Sequence, residues 1–333
     1  MTIVAETPTT PAASAPRRGP RLHGLVWLVW RQHRAAFWTV LAVAAVGAAW
    51  MAYRRAEMTD ALQHLGRLGT AQDVWRQEFH SGPLKAAGAG LFIAPVLTGV
   101  LLGAPLFARD LESGTAALVL SQSVGRPRWL AVKLAMTALV VVVAAGVLSA
   151  VFGWCLSPSG DEPAIGGDWA SPVLFDTTGP VLVALTLLTT VVGAAIGLLV
   201  RRVLVAMAAT LGFTLALMAA WDRIRPYLGD PVKAVGWGDG HAGFPELPAG
   251  AHMLRLPSPV TESGRAVSQG LCGSEAQERA RACLEEHGAV GWAVEYLPHS
   301  QMAAMQWTGA AVLFVLTAAV AAFVLLRGRG RVL

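Results

Sequence analysis

The sequence predicts an all-α integral membrane protein with six transmembrane helices. Three observations carry this. The chain is 54% hydrophobic and only 14% charged, whereas a soluble domain is about 45–50% apolar and about 25% charged. Six runs are long enough to cross a bilayer, which takes about 20 predominantly apolar residues. None of these runs alternates as a barrel strand of about ten residues would. Backbone polar groups in hydrocarbon must be satisfied within the segment, so each run is expected to be helical.

The spans are expected at 35–53, 86–108, 130–156, 179–200, 203–221 and 307–326. The first and second hold no charge, and the third is charged only at Lys133, close enough to its start for the ammonium to snorkel. Arg201 and Arg202 alone join the fourth and fifth, which predicts a tight helical hairpin. Gly193 and Gly197 form a small-xxx-small pattern, read either as a close helix contact or as a by-product of a small-residue composition.

Between the spans the composition changes. Residues 1–20 are rich in Thr, Pro, Ala and Ser and read as a disordered cytoplasmic tail. Residues 21–333 read as one membrane domain. In 21–34, Leu22, Leu25, Val26 and Val29 fall at helical spacing beside Trp27 and Trp30. This predicts an amino-terminal interfacial helix, the alternative being an extension of the first span. The stretch from Arg109 to Trp129 places a charged cluster before a short apolar helix. Such a segment either docks in a groove on a partner or is an ordinary loop whose charges set topology. Residues 222–306 form a large outer segment, mostly rich in Gly and Pro, with one helix from Ser274 to His287. Cys272 and Cys283 flank that helix's first half; outside the membrane they form a disulfide, and otherwise two free thiols.

Charge sets the direction. With the amino terminus inside, the inner segments hold 13 basic residues in 64 positions and the outer ones 12 in 139. Cytoplasmic loops carry the excess of Lys and Arg, so both termini are expected in the cytoplasm. Arg54 and Arg55, just past the first span, run against this pattern. A first span of about 19 residues exceeds the usual core of a cleaved signal. The net charge of +5 comes without basic runs interleaved with aromatics, so a nucleic-acid partner is not expected.

Missing chemistry narrows the class. Lys85, Lys133 and Lys233 follow Leu84, Val132 and Val232, so no phosphate-cradling loop exists. No His-Glu-x-x-His helix and no Gly-x-Ser-x-Gly element occurs. No span has Asp, Glu or His at its middle, where an ion-coupled carrier usually needs one. Catalytic and metal-ligating residues are therefore not expected, and energy for uphill movement has to come from another chain.

Two motifs carry a resemblance. One is Arg109-Asp-Leu-Glu-Ser-Gly-Thr115 followed by Gly125-Arg-Pro-Arg-Trp129; the other is Tyr296-Leu-Pro-His-Ser-Gln-Met-Ala-Ala-Met-Gln-Trp307. With six spans, these resemble the permease subunits of type-two ATP-binding-cassette (ABC) exporters, in particular actinobacterial permeases paired with a separate ATPase. The resemblance runs from about residue 21 to the end. It implies that the 109–120 stretch is the coupling helix resting on the ATP-binding subunit, with Arg109, Asp110 and Glu112 making the contact and Gly114 and Thr115 shaping the helix. It implies ATP and Mg on that partner and none in this chain, and a permease homodimer or heterodimer in membrane lipid. Segment 21–34 is like the connecting helix of that fold. Many relatives have Tyr-x-Pro-x-Ser-Arg-Phe-Trp-x-x-Gln before the last span. This chain keeps Tyr296, Pro298, Ser300 and Gln306 and departs at Gln301, Met302 and Ala303. The expected function is export of a hydrophobic or amphipathic substrate. The alternative is a membrane sensor or scaffold whose outer segment binds a ligand.

Overall fold

The structure is a computed structural model, and it describes residues 24–65, 82–116, 125–156, 168–238, 243–267, 272 and 277–328. The tail at 1–20 and residues 117–120 of the expected coupling helix lie outside them. Among the described residues, six helices are long and apolar enough to cross a membrane.

The first span is one helix, Leu25–Leu65. The separate interfacial helix expected at 21–34 is not found: from Leu25 onward the backbone has no break. Arg31-Gln-His-Arg34 contains no Gly or Pro, and once a helix is nucleated each further residue adds a hydrogen bond. The amphipathic segment is thus the opening turns of the first span, entered at Gly24 with a φ of 67°.

The second span changes winding. It runs as α-helix over Pro83–Leu97, as π-helix over Thr98–Gly103, and again as α-helix over Pro105–Glu112. Pro105 has no N–H to give to the turn before it, and Ala104 bonds five residues back to Gly99, at 2.9 Å. The Pro95 carbonyl accepts the Thr189 hydroxyl of the fourth span at 2.7 Å. This is also where the glycines matter. A Cβ on Gly193 would stand 2.5 Å from the Gly99 carbonyl oxygen, and one on Gly197 would collide with that of Ala104. Gly193 and Gly197 therefore face the π-turn, and the small residues serve close packing.

The third span is Arg126–Leu156, the fourth Pro180–Val200, the fifth Val203–Ile224, and the sixth Met302–Arg327. The fourth is the axis of the bundle: 83% of its apolar stretch is buried, against 17% for the first and the fifth. Arg201, in the left-handed region at φ 59°, closes the fourth span, and Arg202 is extended before the fifth.

The segment after the fifth span holds strands that its sequence pattern does not announce. Strand β4 (Ala289–Leu297) is central. β1 (Val232–Trp237) pairs antiparallel along one edge, and β2 (His252–Met253) and β3 (Ser258–Thr261) share the other. A helix at Gln277–Glu286 precedes β4, and a disulfide joins Cys272 to Cys283, with Cα atoms 5.8 Å apart. The sheet was hidden because three of its strands are short and sit among Gly and Pro.

The sheet is tied to the bundle at several points. Leu297 of β4 packs with Phe175, Trp221 and Met305 in one apolar core. The indole of Trp169 donates to the Gly250 carbonyl at 2.7 Å, and Asp168 pairs with His252 at 2.5 Å. Gln306 donates to the carbonyls of Phe175 and Thr178, at 2.9 and 3.1 Å, pinning the loop before the fourth span. Gln301, one of the departures from the relatives' pattern, brackets the backbone of Asp230: it accepts from its N–H at 2.8 Å and donates to its carbonyl at 2.9 Å.

Candidate functional site

The site is the turn that ends the second span. Its last two turns, Pro105–Glu112, are amphipathic: Leu106, Phe107, Ala108 and Asp110 are buried, and Arg109 and Glu112 are exposed. Ser113 closes the helix, with its N–H and hydroxyl both bonding the Arg109 carbonyl, at 3.0 and 2.8 Å. Gly114 then takes φ +74°, a left-handed conformation that glycine adopts without penalty and that ends many helices. Thr115 lies 3.0 Å from the Ser113 hydroxyl and 3.4 Å from the Asp110 carbonyl, and starts a new helical turn with Ala116. Residues 112–115 are exposed, and Ala116 is buried among Leu106, Trp129, Leu198 and Val324.

Beneath this exposed turn is an ionic anchor. Asp110 is 4% exposed and Lys133 of the third span 0%. The Lys133 ammonium donates to one Asp110 carboxylate oxygen and, at 2.9 Å, to the Leu106 carbonyl. Gln32 of the first span donates to the other carboxylate oxygen at 2.6 Å. Lys133 also lies 5.0 Å from the ring centre of Trp129 and 5.8 Å from that of Phe107, so its charge meets two aromatic rings. Lys133 does not snorkel to the surface as expected. An opposite charge at its own depth, with a carbonyl to take a second proton, holds it inside. A buried ion pair persists only when both partners are hydrogen-bonded in this way.

Glu112 has a partner within the chain. Its carboxylate accepts the Val203 N–H at 2.8 Å, at the start of the fifth span, where Arg202 supplies no side-chain cap. The first N–H groups of a helix lack intrahelical acceptors, and an acidic group there is favourable. The turn is thus joined to the first and third spans through Asp110 and to the fifth through Glu112.

Of the residues expected at the partner contact, the structure leaves Arg109, Glu112, Gly114 and Thr115 exposed and turns Asp110 inward. It adds Gln32, Lys133 and Trp129. Their signal in the sequence was the lone lysine within a span, an opposite charge away from Asp110 at the same end of the neighbouring span.

At the other end of the bundle a second buried pair closes the loop before the fourth span. Asp176 accepts from the Trp221 indole at 2.8 Å and from Arg225 at 3.3 Å. Arg225 also pairs with Asp222 at 2.9 Å. Burial pushes the Asp176 carboxyl up to about 6, against the downward pull of Trp221 and Arg225.

No curated protein and no solved structure matches this chain. Residues 41–225 match the family model described as ABC-2 membrane transporter related. That stretch runs from within the first span through the fifth and takes in the π-turn and the 109–115 turn. An ATP-binding partner goes with such permeases in general, and the permease itself is a transport component without a catalytic site. With its six apolar helices, the chain is a multi-pass cell-membrane permease that belongs to the ABC-2 membrane transporter related family.

Proposed function

We propose that this chain is the membrane subunit of an ATP-driven exporter, and that a separate ATP-binding subunit seats on the turn from Arg109 to Thr115. The observation that carries the reading is an exposed turn bolted from beneath. A push on the turn reaches the first and third spans through Asp110, Gln32 and Lys133, and the fifth through Glu112. ATP and Mg bind the partner, and this chain needs no cofactor. The end carrying Arg109, Arg128, Arg201, Arg202 and Arg327 faces the cytoplasm, with both termini. The sheet faces outward, where the Cys272–Cys283 bond persists. Two permease subunits, identical or related, enclose the path, and closure of the ATPases switches its access. The substrate is hydrophobic or amphipathic, in keeping with spans that hold no acid or histidine at their middle.

The test is co-purification with a candidate ATP-binding subunit that the wild-type chain retains, using Arg109→Glu combined with Thr115→Arg. Both side chains are exposed and lie outside the ionic anchor. The expected result is a stable, folded permease that no longer retains the ATPase. Retention of the ATPase with full transport would defeat the assignment. Glu112→Arg is a poorer probe, because it also uncaps the fifth span.

A further inference from the structure

A slot of about 580 Å³ runs between the first and second spans, floored by the third and the fourth. It is partly open to its surroundings, and its walls are apolar. On the first span it extends from Ala36 to Met51, and on the second from Ala87 to Leu102. Fifteen helical steps cover about 22 Å, most of the roughly 30 Å of bilayer hydrocarbon. Three hydroxyls line it, and each is spent on its own helix: Thr39 on Ala35, Thr98 on Ala94, and Thr186 on Leu182, at 2.7–3.0 Å. None of these three hydroxyls is therefore free for a polar ligand.

The volume falls in the range of about 300–1,000 Å³ typical of small-molecule sites. An extended hydrocarbon chain fits both the slot's length and its chemistry. Charge gives the orientation. The two helices that wall the slot carry exposed arginines at one end, Arg31 and Arg34 on the first and Arg109 on the second. At the other end Arg54 pairs with Glu57, Arg55 packs on Trp154, and the exposed Lys85 of the second span is outnumbered by the exposed Glu57 and Asp60 of the first. The geometry points to a lipid site: one acyl chain of an anionic phospholipid lies in the slot between the first and second spans, with its phosphate at the Arg31–Arg34–Arg109 end. The site rests on the fold and not on the ATPase reading, so loss of either leaves the other standing.

Gly90 supplies the plug. It lines the slot, and a Cβ built on it meets nothing within 4 Å, so Gly90→Leu fills the slot without pressing on the fold. The purified chain is reconstituted in phosphatidylethanolamine vesicles doped with phosphatidylglycerol that carries a diazirine in one acyl chain. After illumination the labelled residues are mapped. Labelling is expected at Val43 and Leu97, falling about tenfold in Gly90→Leu, roughly the factor that 1.4 kcal/mol of lost binding gives. Labelling of the exposed Leu204 and Leu215 on the fifth span is expected to stay unchanged. A phosphatidylcholine probe is expected to label the slot more weakly than phosphatidylglycerol. Equal labelling of slot and fifth span, or no response to Gly90→Leu, would mean ordinary boundary lipid and would overturn the site. Val43→Cys chains that cross-link to each other while the slot stays unlabelled would assign the face to a second copy instead. Thermal unfolding of Gly90→Leu checks that a loss of label is not a loss of fold.

Discussion

The two ends of the bundle use the same device for opposite purposes. At one end Asp110 and Lys133 are buried under an exposed turn; at the other Asp176 and Arg225 are buried under a loop that Gln306 and the sheet also hold. The first pair is shared among three spans and leaves its turn available to a partner. The second is one of several ties in a closed region: Asp176 keeps the Trp221 indole as a further donor, and Gln306 pins the loop independently. On the proposed coupling, a buried pair with few substitutes acts as a lever, and one among many as a lock.

The largest expected effect disables the lever. Lys133→Met leaves the Asp110 carboxylate buried with Gln32 as its remaining side-chain donor, and should cost about 3–5 kcal/mol. The double change Lys133→Met with Asp110→Leu removes both charges and should recover most of that stability. Thermal unfolding in detergent reads both. A stable double variant that still couples ATP hydrolysis to transport would show that the pair is only structural.

The next effect tests the lock through pH. The folded Asp176 carboxyl holds its proton up to about pH 6, and the unfolded one only to about 3.8. Between those values the folded state binds the extra proton, so this group's contribution makes stability fall as pH rises through that window. Across the whole window the loss amounts to about 3 kcal/mol. Unfolding midpoints at pH 4.5 and 7, compared between wild type and Asp176→Asn, should show this component only in the wild type. The same slope in both would put the effect elsewhere.

Two smaller changes probe the turn itself. Gly114→Ala forces a Cβ into the left-handed region and should cost about 1 kcal/mol, read as a lower unfolding midpoint. Glu112→Ala should cost about 1 kcal/mol by uncapping the fifth span, while Glu112→Gln, which still accepts, should cost less. If the two Glu112 variants behave alike, its negative charge matters rather than its hydrogen bond.

Six spans, their order and the two-arginine hairpin were legible because each needs only a local signal: apolar length, or charge at a boundary. The continuity of the first helix was missed because Trp27, Trp30 and the arginines from Arg31 to Arg55 look like interfacial punctuation, although none of them breaks a helix. The sheet was missed because its strands gain their stability from pairing with β4 rather than from their own residues. At the turn, Glu112, Gly114 and Thr115 stood out in the sequence, but the inward face did not. Nothing local tells that Asp110 turns toward Gln32, 78 residues earlier, and Lys133, 23 later.

Residue order alone settles that this chain lives in a membrane and how many times it crosses. Those properties follow from transfer free energy, which is additive along the chain. Three others come only from the packed bundle: Lys133 is buried rather than snorkelling, Gly193 and Gly197 meet a π-turn, and the 109–115 turn is anchored to three other spans. These depend on which helix faces which. In a bundle whose helices are apolar nearly all round, that choice is made by close packing and buried charge, not by hydrophobic pattern.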